Sequence, residues 1–244
     1  MLHGGALTAR TWDYVSVALR SDYRLLALDL RGHGESSRSD DYSRERTVLD
    51  LAELTRDLCA RPVHLVGMSL GGLIAAEFAF RTQALVKSLA VIDVAPGVSF
   101  PATAKMRDFI GRARTVESVE AAVEAALRVS PQSDRDRVAY RMHTLLRQRD
   151  DGAWEWKHDG RREVDFSQIL ARVDALRAGA AQFDRAFLMV RGQRSQILSH
   201  EAARDFARRF PAGRCVEVAD AGHNVQEDNP RELSRRLRQF WSDC

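Results

Sequence analysis

At 244 residues the chain is long enough for one α/β domain with a sizeable core and an inserted subdomain. Its formal charge is +3, and its 37 basic residues are interleaved with 34 acidic ones, as in RSDDYSRER (38–46) and SDRDRVAYRM (133–142). That pattern is a solvated surface and excludes a phosphate-tracking basic stripe, so nucleic acid is not an expected partner. No apolar run reaches membrane-spanning length, and MLHGGALTAR lacks the apolar core of a secretion signal. Cys59, Cys215 and Cys244 are odd in number and without CxxC spacing, which excludes a disulfide framework or zinc site and points to reduced thiols in a cytoplasm.

In chain order, YRLLALDL (23–30) is a dense apolar run ending in the Gly-rich turn RGHGESS and is predicted to be a buried parallel strand. VLDLAELTRDLCA (48–60) has helical spacing, and Pro62 stops it before the buried strand VHLVG (63–67). GGLIAAEFAFR (71–81) is a helix and VKSLAVIDVAP (86–96) a further strand closed by Pro96. From about 97 to 182 the patterns are helical without a convincing strand, which predicts an α-helical insertion. AFLMVRG (186–192) resumes the sheet, SHEAARDFARRF is a helix with Ser199 as N-cap, and CVEVA (215–219) is the last strand. Asn229 as N-cap, Pro230 at the first helical position and Glu232 open a closing helix that ends near Trp241. Alternating strands and helices predict an α/β fold, a mostly parallel sheet with helices on both faces. The core is assigned to 1–96 and 183–244, and the insertion to 97–182.

Gly67-Met68-Ser69-Leu70-Gly71 fits G-x-S-x-G between a strand and a helix, the context a nucleophile elbow requires. The flanking positions need glycine because a Cβ there would meet the neighbouring strand and helix. The helix N-terminus offers unpaired N–H groups to a developing anion. Ser69 needs a base, and His223 in DAGHNVQEDNP follows the last strand on a Gly-containing loop, at the same sheet edge. His64 lies inside a strand and reads as structural, whereas His143, His158 and His200 have no supporting motif.

With HGG at 3–5, DLRGHGES at 29–36, GMSLGG at 67–72 and AGHN at 221–224, the chain resembles the α/β-hydrolase family along essentially its whole length outside the insertion. The resemblance implies Ser69 as nucleophile, His223 as general base, and an oxyanion hole made by the N–H of Leu70 with that of Gly5 or Ala6. It further implies no cofactor, no metal, and a helical cap over the pocket in place of the insertion. Active sites at the carboxyl ends of parallel strands agree with the general rule for open α/β sheets.

The chain departs from the pattern in two places. The loop after AFLMVRG, where family members often carry the acid that orients the histidine, reads RGQRSQILSH, with Gln193 and Gln196 and no carboxylate before Glu201. A neutral amide holds an imidazole but does not balance its charge; in the serine-protease triad the comparable Asp-to-Asn change lowers turnover about ten-thousandfold. Asp93, at the end of the preceding strand, is the expected acid, as in a similar group of esterases; Asp220 is too near His223 in sequence and Asp184 is a weaker choice. Second, only Met1 and Leu2 precede His3, where the family has a central strand and two more. Unpaired groups mid-sheet would each cost about 1–3 kcal/mol, so the fold is expected to lack its N-terminal strands and the natural chain to begin about 20–30 residues upstream.

Asp29 is expected to bind turn N–H groups, and Trp154 and Trp156 to pack the cap onto the sheet. Phe100, Met106, Phe109 and Met142 are pocket candidates by their place in the insertion. The expected function is a serine hydrolase of the carboxylesterase type, cleaving small or medium acyl esters through an acyl-enzyme. Lactone, thioester or C–C bond hydrolysis, or a non-catalytic ligand-binding member, are the alternatives. The expected partner is a small-molecule ester.

Overall fold

The structure is a computed structural model that describes residues 1–98, 115–129, 131, 133–160 and 166–244, with backbone alone for 166–170. A 3-10 turn at Ala9–Trp12 leads into α1 (Asp13–Leu19), which buries Val15 and Leu19. Sequence periodicity does not reveal a helix of only two turns. Helix α2 (Arg44–Leu58) starts one turn earlier than its apolar spacing, because the Ser43 side chain accepts the Arg46 N–H and caps it. Strand β1 (Val63–Met68), helix α3 (Leu70–Arg81) and strand β2 (Val86–Ile92) follow in the expected alternation.

Next come β3 (Thr115–Val116), α4 (Val119–Val129), α5 (Arg135–Leu145), β4 (Leu146–Gln148), β5 (Trp154–Trp156) and α6 (Phe166–Gly179). The chain then adds β6 (Ala186–Gly192), α7 (His200–Ala207), β7 (Gly213–Val218), α8 (Val225–Asp228) and α9 (Pro230–Ser242). The two predicted N-caps are present: Ser199 accepts the Ala202 N–H and Asn229 the Glu232 N–H.

The main sheet has the order β1-β2-β6-β7, all parallel, with Met68 level with Ile92 and Ala90 level with Leu188. Side chains alternate between two buried layers, as period two demands. Leu65, Leu89, Val91, Phe187 and Met189 face one core with α2, α3 and α7. Val66, Met68, Ala90, Ile92, Leu188 and Val190 face the other, with α1 and α9. A parallel sheet covered on both faces is the expected α/β architecture. The predicted strand at 23–30 is not formed. Beside it runs the backbone of Met1–Leu2, and Leu2 makes isolated parallel bridges to both Leu28 and Gly67.

The inserted segment differs from a purely helical reading. Strands β3, β5 and β4 form a small antiparallel sheet, with strands of two or three residues, too short for an alternation signal. Trp156, Met142, Leu145, Val119 and Val123 form their own buried cluster, with Trp154 packed against it. The tryptophans therefore pack among residues of their own segment rather than onto the main sheet as expected, and Met142, a pocket candidate by sequence, is core. Phe100, Met106 and Phe109 lie outside the described residues. Helix α6 joins the main body: Val173 and Leu176 enter the α3 core, and Arg172 donates to Glu77 of α3 and to Thr47 of α2, at 2.9 and 2.7 Å.

His64 in β1 is structural. Its Nδ1 lies 2.7 Å from Ser88 Oγ, its ring packs near Trp241, and burial, with a smaller push from Lys87, lowers its pKa to about 4. The unfolded chain then binds more protons than the folded one between about pH 4 and the ordinary value near 6.5, so stability falls on acidification through that window. Thermal melts at pH 7 and pH 5 are expected to show a smaller acid-induced drop in Tm for His64→Gln than for the wild type.

Candidate active site

The elbow is built by close approach. A Cβ on Gly67 would lie 2.2 Å from Gly71 O, and one on Gly71 would lie 2.5 Å from the carbonyls of Leu2 and His3. Glycine at both positions lets α3 spring directly from β1. Ser69, between them, has φ 51° and ψ −118°. Such a conformation costs a residue with a Cβ about 1–3 kcal/mol and recurs where a side chain must be presented. The Ser69 N–H is held by Ile92 O at 2.9 Å, and its side chain makes no capping bond to α3.

One strand over, Asp93 repeats the device: φ is 52°, its N–H donates to Val190 O at 2.8 Å, and it is fully buried. Since Met68 and Ile92 are level, Ser69 and Asp93 leave adjacent strands at the same height. The Asp93 carboxylate accepts the Gly192 N–H at 3.2 Å on Oδ1. On Oδ2 it takes the Ser195 hydroxyl at 2.5 Å and His223 Nδ1 at 2.8 Å. A carboxylate only accepts, so Nδ1 carries the proton and Nε2 keeps the lone pair.

His223 follows β7, at the far edge of the sheet, yet bonds to the end of β2; its loop must therefore cross β6. Gly192 permits this: a Cβ there would lie 2.0 Å from Gly222 O. Asp228 accepts the Gly222 N–H at 2.8 Å and fixes the loop from the other side; burial raises the Asp228 pKa against that bond. Helix α5 grips the element that follows. Arg137 donates to the carbonyls of Glu227 and Asp228, each at 2.6 Å, and Arg141 pairs with the Glu227 carboxylate at 2.7 Å.

The His3–Ala6 turn lies against the elbow. A Cβ on Gly4 would stand 3.5 Å from Ser69 Cβ and 2.6 Å from Met68 Sδ. His3 bridges this turn to the next: Nε2 accepts the Leu30 N–H at 3.0 Å, so Nδ1 donates to Gly4 O at 2.7 Å. Ala6 has φ 57°, and Leu7 N–H closes the turn onto Gly4 O. Asp29 has the expected turn role, accepting the N–H groups of Ala9 at 2.6 Å and Glu35 at 2.9 Å.

Thus the residues singled out by sequence converge at one sheet edge, Ser69 and Asp93 on adjacent strand ends and His223 bonded to Asp93. Gln193 and Gln196 are exposed, Asp220 is exposed beside Arg194, and Asp184 pairs with Arg185. His200 pairs with Glu217 at 3.1 Å. Sequence reasoning missed Ser195, Gly192 and the Arg137–Arg141 grip. Ser195 lies in the very loop whose missing carboxylate drew attention, but nothing in RSQIL marks which way its hydroxyl points. Among the described residues, no group of three or more His, Cys, Asp or Glu is placed to hold a metal ion.

Residues 1–236 match the Alpha/beta hydrolase family, and the chain belongs to it. It is 33% identical to the esterase Rv0045c of Mycobacterium tuberculosis over 97% of this chain and 80% of that protein. The crystal structure of that esterase superimposes with a TM-score of 0.79 at 31% identity, covering 99% of this chain and 82% of the other. The 3-hydroxybutyrate-oligomer hydrolase of Cupriavidus necator is 28% identical over 95% of this chain and 84% of its own length. Protein phosphatase methylesterase 1 of Bos taurus is 37% identical over 51% of this chain but only 35% of its own length.

Gly192→Ala forces the His223 loop off β6. Urea denaturation is expected to show a loss of about 1–3 kcal/mol, the usual cost of overpacking a filled site.

Proposed function

We propose that the chain is a serine hydrolase of the carboxylesterase type, with Ser69 as nucleophile, His223 as general base and Asp93 as the acid that orients it. The observation that carries this reading is the 2.8 Å bond from His223 Nδ1 to a buried Asp93 carboxylate, one strand end away from a serine in elbow conformation. In the first step Nε2 of His223 takes the Ser69 hydroxyl proton as Oγ attacks the ester carbonyl carbon. The carbonyl oxygen becomes an oxyanion, which receives the N–H of Leu70 at the head of α3 and one from Gly5 or Ala6. Collapse breaks the C–O bond to the alcohol; the imidazolium returns the proton to it, leaving an acyl-Ser69 ester. Water, deprotonated by the same Nε2, attacks this ester, and the acid leaves as Ser69 regains its proton. No cofactor or metal enters these steps.

Residues 97–182 act as a cap in this reading, with Arg137 and Arg141 joining it to the segment after His223. Small or medium acyl esters are the proposed substrates, and the names of the three relatives, an esterase, a methylesterase and an oligomer hydrolase, support ester chemistry. The unpaired state of Cys59, Cys215 and Cys244 supports a reducing compartment such as the cytoplasm. Among the described residues no helix is long and apolar enough to cross a membrane.

Steady-state kinetics on p-nitrophenyl butyrate test the roles. Ser69→Ala is expected to fall to background. Asp93→Asn is expected to lower kcat by about a hundredfold or more, in line with the loss seen when a triad acid is made neutral, while Gln196→Ala stays within about twofold, as surface changes ordinarily do. A Gln196→Ala loss equal to that of Asp93→Asn would place the acid function on the wrong loop.

A further inference from the structure

We propose that Ser195 is a positioning residue of this site, a hydroxyl locked as a donor to Asp93 so that the carboxylate stays aimed at His223. The inference rests on the reading of Ser69, His223 and Asp93 given above and extends it to a residue that no sequence motif marks.

A serine hydroxyl has one proton and two lone pairs and is ordinarily free to rotate. Here both lone pairs are engaged from its own loop: Ser195 Oγ accepts the N–H of Ile197 at 3.2 Å and of Leu198 at 3.3 Å. The proton has one direction left, toward Asp93 Oδ2 at 2.5 Å. Reversal is barred, because a carboxylate has no proton to give back. The hydroxyl thus shares Oδ2 with His223 Nδ1, while Gly192 N–H holds Oδ1. Three donors from three directions fix the plane of a carboxylate whose side chain is otherwise enclosed, with 0% exposure.

The loop that carries Ser195 is itself templated. Arg191 is buried, and its guanidinium donates to the carbonyls of Leu198 at 2.6 Å, Gln193 at 3.1 Å and Ser195 at 3.1 Å, with Glu217 as its counter-ion. A planar fork with five fixed donors suits this better than a lysine point charge. Within 193–198 the side chains of Gln193, Arg194 and Gln196 are exposed, and Ser195 alone of the four polar residues from 193 to 196 turns inward. The loop after β6 therefore lacks the acid but supplies a clamp for an acid on β2.

A double-mutant cycle on p-nitrophenyl butyrate turnover tests this. Wild-type activity that is lost in Ser69→Ala first establishes the underlying reading; an active Ser69→Ala would overturn that reading and this inference with it. Given that dependence, Ser195→Ala is expected to lower kcat about tenfold to a hundredfold with KM within about threefold, the pattern of an interaction that acts on the transition state. Ser195→Thr, which keeps the hydroxyl, is expected to restore most of kcat. In an Asp93→Asn background, Ser195→Ala is expected to cost less than about threefold further, because the group it acts through is already altered. An equal loss in both backgrounds, or a Thr variant as impaired as Ala, would make Ser195 a loop-folding residue and overturn the proposal.

Discussion

The molecule's organising interaction is the bond between a buried carboxylate at the end of β2 and an imidazole carried from β7, two strands away. Everything around it serves to bring two distant chain segments within 2.8 Å. The His223 loop must cross β6, so β6 ends in a glycine with no room for a side chain. Asp93 must leave its strand turned toward β6, so it sits at positive φ, and its own N–H is tied to Val190 of that strand. A polar pair held this way is strong because its carboxylate is fully buried and the carboxylate's other contacts are hydrogen-bond donors. For the same reason it is intolerant of error, since a buried partner left unpaired carries its full desolvation penalty.

The elbow at Ser69 and the turn at Asp93 are two uses of one geometrical idea. On adjacent parallel strands at the same register, a residue with a Cβ is held at positive φ just past the strand end, and in each case the backbone N–H is bonded to the neighbouring strand. This places a hydroxyl and a carboxylate on the sheet edge with little conformational freedom. Pre-organisation of this kind matters for reactions in which charge develops at fixed positions, because the donors need not reorient as the reaction proceeds. Helix α5 is linked to the same apparatus through Arg137 and Arg141, which hold the short helix directly after His223. Displacement of α5 would therefore be felt at the histidine loop.

Much of this was legible in the sequence because it depends on residue types with few alternatives. Gly67 and Gly71 around Ser69 announce a turn that only glycine permits, and the apolar runs of β1, β2 and β6 announce a sheet covered on both faces. Asp93 was expected as the acid from two signals, the lack of an acid between Gly192 and Glu201 and the resemblance to a group of esterases that carry one at this strand end. What stayed hidden depends on direction in space. The Ser195 hydroxyl, the Arg191 fork and the close approach of the Gly222 backbone to Gly192 have no local signature, since each is defined by a partner at least 26 residues away or by backbone carbonyls. The stretch 23–30 misled for a different reason. Its composition is that of a strand, but composition does not say what lies alongside, and the structure pairs this stretch only through a single bridge from Leu28 to Leu2.

The most direct test of the central claim is a crystal structure of the protein after reaction with a fluorophosphonate ester. The expected result is phosphorus bonded to Ser69 Oγ, its oxygen within hydrogen-bond distance of the Leu70 N–H, and His223 Nδ1 still on Asp93. An adduct on another residue, or a modified Ser69 with His223 turned away from Asp93, would contradict the account.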